Sequence, residues 1–221
     1  MKDTTKAFFR QLLSVILGII ITFGLQSTAE RVRTRRSVRA ALELVKSELA
    51  ANAEDIGVVS DYLRSEQKAA KYFYENRTRI DRCPADSISH YGGILYSDVS
   101  ITLSQDALEL LKVSSLFQKI GDNETSMKII RAYDTCNSAA TNFNKQIEVR
   151  NSMFDRSITE QNARRMASPG SINIKEFIKT GMGQYVISWL SSQPGPEEYS
   201  HLEDVETAIA AIDSYMSRKH R

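Results

Sequence analysis

Asp86, Ser87 and His90 hold the residue types of a hydrolytic triad: an acid, a nucleophile and a base. Triad chemistry needs three side chains brought together from separated elements. These three are too close in sequence to imply that geometry, and no Gly-x-Ser-x-Gly elbow is present to expose a nucleophile. The segment reads as a polar loop. His90, His201 and His220 have no ligand partners at metal-binding spacing. Gly181-Met182-Gly183 lacks the preceding strand and the lysine of a phosphate-cradling loop, and reads instead as a place for close helix packing. No catalytic, cofactor-binding or metal-binding residue is assigned, and an enzyme is not expected. Cys83 and Cys136 have two readings. They form a disulfide if the domain lies outside the cytoplasm, and are free thiols if it lies inside.

Composition narrows the remaining classes. The 221 residues suit one domain, or a domain with an appendage. Lys+Arg 29 against Asp+Glu 27 is too balanced for a surface that grips nucleic acid, so no nucleic-acid partner is expected. Two cysteines cannot build a disulfide scaffold, and a 42% hydrophobic chain with 25% charge is not disordered throughout.

The most informative stretch is Gln11 to Ala29, QLLSVILGIIITFGLQSTA, nineteen residues without a charge. As a helix it is roughly 28 Å long, close to the ~30 Å hydrocarbon core of a bilayer. It predicts a transmembrane helix. A cleaved signal peptide is the rival reading, since Lys2, Lys6 and Arg10 precede the apolar run and Ser27 and Ala29 are small. Arg31, Arg33, Arg35, Arg36 and Arg39 follow at once and oppose translocation, which favours an uncleaved anchor. The tally of Lys and Arg is three before the span and five after it. That favours a cytoplasmic C-terminal domain, while the usual habit of a signal anchor is the opposite. The five arginines are also placed to meet anionic lipid headgroups. Within the span, Ser14, Gly18 and Thr22 recur every four residues, a strip of small side chains suited to helix association in lipid.

No proline interrupts the chain from Met1 to Arg82. Beyond the arginines, Val38, Leu42, Val45, Leu49, Asn52, Ile56, Val59 and Leu63 follow at alternating steps of four and three. This heptad spacing predicts a long helix with a packed seam. Asn52 is its one polar member, and Glu66 breaks the run at the next place before Ala70 and Phe73 resume it. The seam fits an intermolecular coiled coil or packing against later helices of the same chain. Gly57 marks a place for a kink, at a cost of about 1 kcal/mol relative to alanine. Around Cys83-Pro84 and Gly92-Gly93 the chain reads as irregular. Helices return after Thr102 or Ser104, turn at Gly121-Asp122-Asn123, and resume toward Met153. Asn173 and Glu176 have capping-box spacing for a helix that stops at Pro194. The last helix is acidic at its start and basic at its end, as its dipole prefers.

The expected fold is all-α: an N-terminal transmembrane helix continuing into a long amphipathic helix, packed with a C-terminal helical bundle. The expected units are a basic tail (1–10), the span (11–29), a juxtamembrane long helix with the heptad seam (30–75), an irregular segment (76–101) and the bundle (102–221).

The order of a basic tail, VILGIIITFGLQ, an acidic residue with arginines, LELVKSELAAN, and later ALELLKVSSLFQKIGDNETSMKIIRAYDTC resembles a broad group of short, uncharacterised bacterial single-pass membrane proteins. They form a domain-of-unknown-function family common in Bacteroidetes. The likeness covers residues 7–55 and 103–137. It implies a helical protein of the inner membrane and supplies no activity, cofactor or catalytic residue. The chain departs from the pattern in lacking a Trp just after the span, where Gln26-Ser27 stands. The expected role is a membrane-anchored scaffold or accessory subunit. Its expected partners are membrane lipid and either further copies of itself or another membrane protein. The alternative is an exported ligand-binding or sensor-like domain on a signal anchor, with its pocket near Cys83 to Gly93.

Overall fold

A computed structural model describes the backbone of residues 2–157, 167–168 and 171–218, with side chains over 30–156 and 173–218. The regular elements among the described residues are helices, apart from an antiparallel pair of two-residue strands, Ala167–Ser168 and Ser171–Ile172. The seven α-helices among them are α1 (Lys2–Asn76), α2 (Ala85–Leu95), α3 (Asp106–Val113), α4 (Asn123–Ser157), α5 (Ile174–Lys179), α6 (Gly181–Ser191) and α7 (Glu203–Ser217). Among the described residues no helix is long and apolar enough to cross a membrane. The stretch 11–29, with Ser14, Gly18 and Thr22, lies outside the residues whose side chains are described.

The long contacts set the register. Tyr133 meets Glu48 and Arg150 meets Glu66, so α4 runs parallel to α1 with a nearly constant offset. Arg39 meets Met216 and Lys46 meets Asp213, so α7 runs antiparallel to both. Asn52 meets Ser104 and Glu48 meets Ala107, so α3 descends along α1 toward its N-terminal side. Gln67 meets the Gln193 carbonyl and Arg64 meets Glu197, which brings α6 antiparallel against the far end of α1.

The bundle therefore has two storeys threaded by α1 and α4. In the first, Leu42, Val45, Leu49, Ile56, Val59 and Leu63 pack with Leu108 and Leu111 of α3, Ile129, Tyr133 and Phe143 of α4, and Val205 and Ile212 of α7. In the second, Ala70 and Phe73 pack with Ile88, Phe154, Phe177, Val186, Ile187 and Leu190. Fully burying each aliphatic or aromatic side chain contributes about 1.5–3 kcal/mol. The seam is covered by this chain's own α3, α4 and α7, so it is not open to an intermolecular coiled coil.

Three local expectations are corrected. α1 passes through Gly57 without a break; an added Cβ there would meet nothing within 4 Å. The segment 76–101 is not irregular throughout, since a 3-10 turn (Arg77–Arg82) leads into α2. Pro84 immediately precedes α2, where its missing N–H costs no helical hydrogen bond, and Gly92 faces α5, where an added Cβ would rest in ordinary contact with Ile174 Cγ2 at 3.4 Å. The helix expected from Asn173 to Pro194 is two helices. Asn173 caps α5 as the capping-box spacing requires, accepting from the Glu176 N–H, but Thr180 is extended and caps α6 through its Oγ1.

Gly183 makes that corner possible. A Cβ on it would lie 2.0 Å from the Phe177 carbonyl oxygen, which is backbone and cannot swing aside. Gly183→Ala will therefore destabilise the second storey by about 1–3 kcal/mol or more, the range for overpacking. Gly181→Ala, with nothing within 4 Å of the new Cβ, will not. Thermal unfolding of the two variants in detergent checks the contrast.

Candidate functional site

Two regions gather the polar side chains of interest. The first is the groove between α1 and α4, where the chain from Ser97 to Gln105 lies as an extended strap without helix or sheet partners of its own. Backbone groups in such a segment must find hydrogen bonds elsewhere. Asn52 Nδ2 donates to the Ser104 carbonyl (2.8 Å) and Asn52 Oδ1 accepts from the Ser104 N–H (3.1 Å). Asn144 treats Ile101 in the same way, donating at 2.9 Å and accepting at 3.4 Å. Two asparagine amides thus stand in for the edge of a sheet. Higher up, the Tyr62 hydroxyl donates to the carbonyls of Ile94 and Ser97.

Glu48 holds the lower end of the strap. Its Oε2 accepts from Ser104 Oγ (2.6 Å) and from the Ala107 N–H (3.0 Å), and its Oε1 accepts from the buried Tyr133 hydroxyl. Ser104, one of the two capping residues expected, accepts from the Asp106 N–H through its Oγ (3.3 Å), and a carboxylate from α1 takes the next N–H, that of Ala107. Burial pushes the Glu48 carboxyl upward, but hydrogen bonds from Ser104, Tyr133 and the backbone of Ala107 and Leu108 together hold it below the usual carboxylate range. The Tyr133 hydroxyl is correspondingly raised by burial and by its bond to Glu48.

Glu66 and Arg150 sit between the storeys. Their side chains are 1% and 5% exposed, with Glu66 Oε1 2.9 Å from Arg150 Nε. The angle is poor for a hydrogen bond, so Glu66 Oε1 and Arg150 Nε and Nη1 have no hydrogen-bond partner, and Tyr96 Oη nearby has none either. Arg150 Nη2 donates to the Ser97 carbonyl (2.6 Å), and its guanidinium lies 5.7 Å from the Phe154 ring centroid. Tyr96 contacts the same ring. Burial pushes the Glu66 carboxyl up to about 7, against the opposing pull of Arg150. The residue that broke the apolar seam is thus a core ion-pair member, and sequence spacing carried no sign of its partner.

The second region is the stalk of α1. From 30 to 37 every side chain is exposed except half-buried Thr34, so α1 leaves the bundle below Val38. Arg31, Arg33, Arg35 and Arg36 are exposed on several sides of it. Arg39 departs from the lipid-facing role expected of the five, because Nη2 donates to the Met216 carbonyl (3.1 Å) and ties α7 to α1.

The remaining candidates separate. Cys83 and Cys136 are free thiols in different storeys, so no disulfide joins them; burial pushes the Cys136 thiol up to about 11. Asp86, Ser87 and His90 lie together on α2, and His90 packs edge-on against Tyr91. The stretch expected to line a pocket, Cys83 to Gly93, instead packs Ile88 and Gly92 inward. His201 lines an open cleft of about 480 Å³ with Arg131, Asp134 and Asp204. His220 lies outside the described residues. Among the described residues no group of three or more His, Cys, Asp or Glu side chains is arranged to hold a metal ion.

No protein-family model, curated protein or solved structure matches the chain.

Proposed function

We propose that the chain is a single-pass helical scaffold or accessory subunit of the bacterial inner membrane, anchored by residues 11–29. The observation that carries this reading is continuity. α1 is one helix from Lys2 to Asn76, so the uncharged stretch, the arginine stalk and the seam of the bundle share a single rod. A rod fixed in lipid at one end holds the bundle at the membrane surface. Confinement there raises the effective concentration of membrane-bound partners without any new contact. Arg31, Arg33, Arg35 and Arg36 provide the cationic collar at the lipid boundary, and the excess of basic residues after the span favours a cytoplasmic bundle.

A reporter fused after Arg221 tests the arrangement. A cytoplasm-only reporter will be active in the membrane fraction, and an export-dependent one silent. Reporter activity confined to the soluble fraction would remove the tether, and activity of the export-dependent fusion would reverse the topology. Ser14, Gly18 and Thr22 form the contact strip for association within lipid. Gly18→Ile will reduce cross-linked dimer in membranes several-fold; an unchanged yield would remove the strip from the account.

A further inference from the structure

Arg150 faces two acceptors, Glu66 and the Ser97 carbonyl. An arginine offers a carboxylate a side-on fork, the N–H groups of Nε and Nη2. One tooth of that fork, Nε, lies 2.9 Å from Glu66 Oε1 but is too poorly aligned to donate to it. The other, Nη2, is given to the Ser97 carbonyl at 2.6 Å. Glu66 Oε1 and Arg150 Nε are thus without hydrogen bonds although both side chains are buried. This is the posture of a guanidinium turned toward a carbonyl and away from an uncharged carboxylic acid. A carboxylate in the same place draws the fork, because a charged acceptor holds a guanidinium more strongly than a carbonyl does, the more so where water is excluded.

The Ser97 carbonyl is where the strap enters the groove between α1 and α4. Two side chains hold this upper end: the Tyr62 hydroxyl, on the carbonyls of Ile94 and Ser97, and Arg150. Asn144 holds the middle at Ile101, and Asn52 and Glu48 hold the lower end at Ser104. We propose that Glu66 and the strap compete for Arg150, so that loss of the Glu66 proton to solvent turns the guanidinium from Ser97 and loosens the upper end of the strap. Asp98, Val99 and Ser100 at that end form one wall of an open cleft of about 600 Å³ whose other wall is Asn144, Glu148 and Asn151 of α4. That cleft is the surface that changes shape with the latch.

The groups around Glu66 set the direction. α4 contributes Arg150, the approach to the strap contributes Tyr96 and Asp98, and α1 contributes Tyr62 one turn earlier. Over 181–191, α6 has one titratable side chain, exposed Tyr185. In α2, Tyr91 stacks on Tyr72 and His90 on Tyr91, further along the bundle, with Asp86 one turn before His90. Burial pushes the Tyr62 hydroxyl up to about 12 and the Tyr96 hydroxyl higher still, so both keep their protons at neutral pH. Burial pushes the Glu66 carboxyl up to about 7, so its charge changes across neutral pH and the latch loosens as pH rises.

Amide exchange of the full chain in detergent micelles at pH 5.5 and 8.5 tests this, each rate divided by the intrinsic rate at that pH. Protection of the Ser97 and Ile101 amides, which donate to the Ile94 carbonyl and to Asn144, will fall at least threefold at the higher pH. The Ser104 amide and those of α6 will change by less than half that factor. Glu66→Gln keeps the shape and cannot ionise, so its strap will stay protected at both pH values. An unchanged wild-type strap would overturn the proposal. So would the same fall in Glu66→Gln, which would assign the effect to another group, or an equal fall at Ser104 and in α6, which would show the whole bundle loosening. Should Glu66→Gln not fold, the wild-type chain alone decides. The Arg150 Nε resonance will titrate with the same midpoint as the Glu66 side-chain carboxyl carbon and as Ile101 protection, and separate midpoints would overturn the latch.

Discussion

Glu66→Met will destabilise the bundle by about 3–5 kcal/mol, the cost of leaving a buried charge without its counter-charge. The arginine cannot escape by losing its proton. Arg150→Met leaves the opposite partner, a carboxyl that burial already pushes up to about 7 and that can shed its charge by taking up a proton. Its penalty will be smaller at pH 5 than at pH 8, though the bond from Arg150 Nη2 to the Ser97 carbonyl is lost at both. The double replacement Glu66→Met with Arg150→Met will recover most of the loss, because two apolar side chains of similar volume require no desolvation of charge. The pH dependence has a definite sign. A carboxyl whose folded pKa is above its ordinary 4.5 makes the folded state bind more protons, so its contribution is full below 4.5 and is lost as pH rises through about 7. Thermal unfolding followed by ellipticity between pH 4.5 and 8 reads all three variants. Equal penalties for both single replacements at every pH would show that the pair does not titrate as its burial implies.

Glu48→Ala will cost about 2–4 kcal/mol. Loss of a helix cap is worth ~1 kcal/mol, and leaving the Tyr133 hydroxyl buried without an acceptor adds about 1–3 kcal/mol. Here the sign is opposite to that of Glu66. The Glu48 carboxyl is held below its ordinary 4.5, so its contribution is present above that pH and disappears on acidification. The wild-type chain will therefore lose on acidification a stability component that Glu48→Ala never had, and the two unfolding midpoints will converge as pH falls toward 3. A constant gap would mean that Glu48 acts through packing and not through charge. Because Glu48 caps α3, the variant will also free residues 106–113 for faster amide exchange, while α6 keeps its protection.

What sequence alone revealed is what depends on near neighbours. The steps of four and three from Val38 to Leu63 marked a helix with one buried face, and that face is buried. Gly121-Asp122-Asn123 was readable as a turn, and Gly121 does take a positive φ of 68°; that Asp122 is the residue whose Oδ1 accepts from the Glu124 and Thr125 N–H groups is seen only in the structure. Asn52 was visible as the polar member of the seam, but not as the clamp on Ser104, since an extended strap has no periodicity to announce it. Glu66 looked like an interruption because its partner lies 84 residues further on in α4. α2 was missed because Gly92 and Gly93 argue locally against a helix, while Ile88 and Leu95 bury its inner face against residues far off in the sequence. The break at Thr180 has the same origin: nothing before Gly183 shows how closely the Phe177 carbonyl will approach.

Carbonate extraction of membranes from cells making the full chain, with mass determination of its N-terminus, tests the anchor most directly. The chain will remain in the pellet and retain residues N-terminal to Gln11. A protein that begins at Glu30 and is recovered in the supernatant would contradict the account, and the scaffold role would go with it.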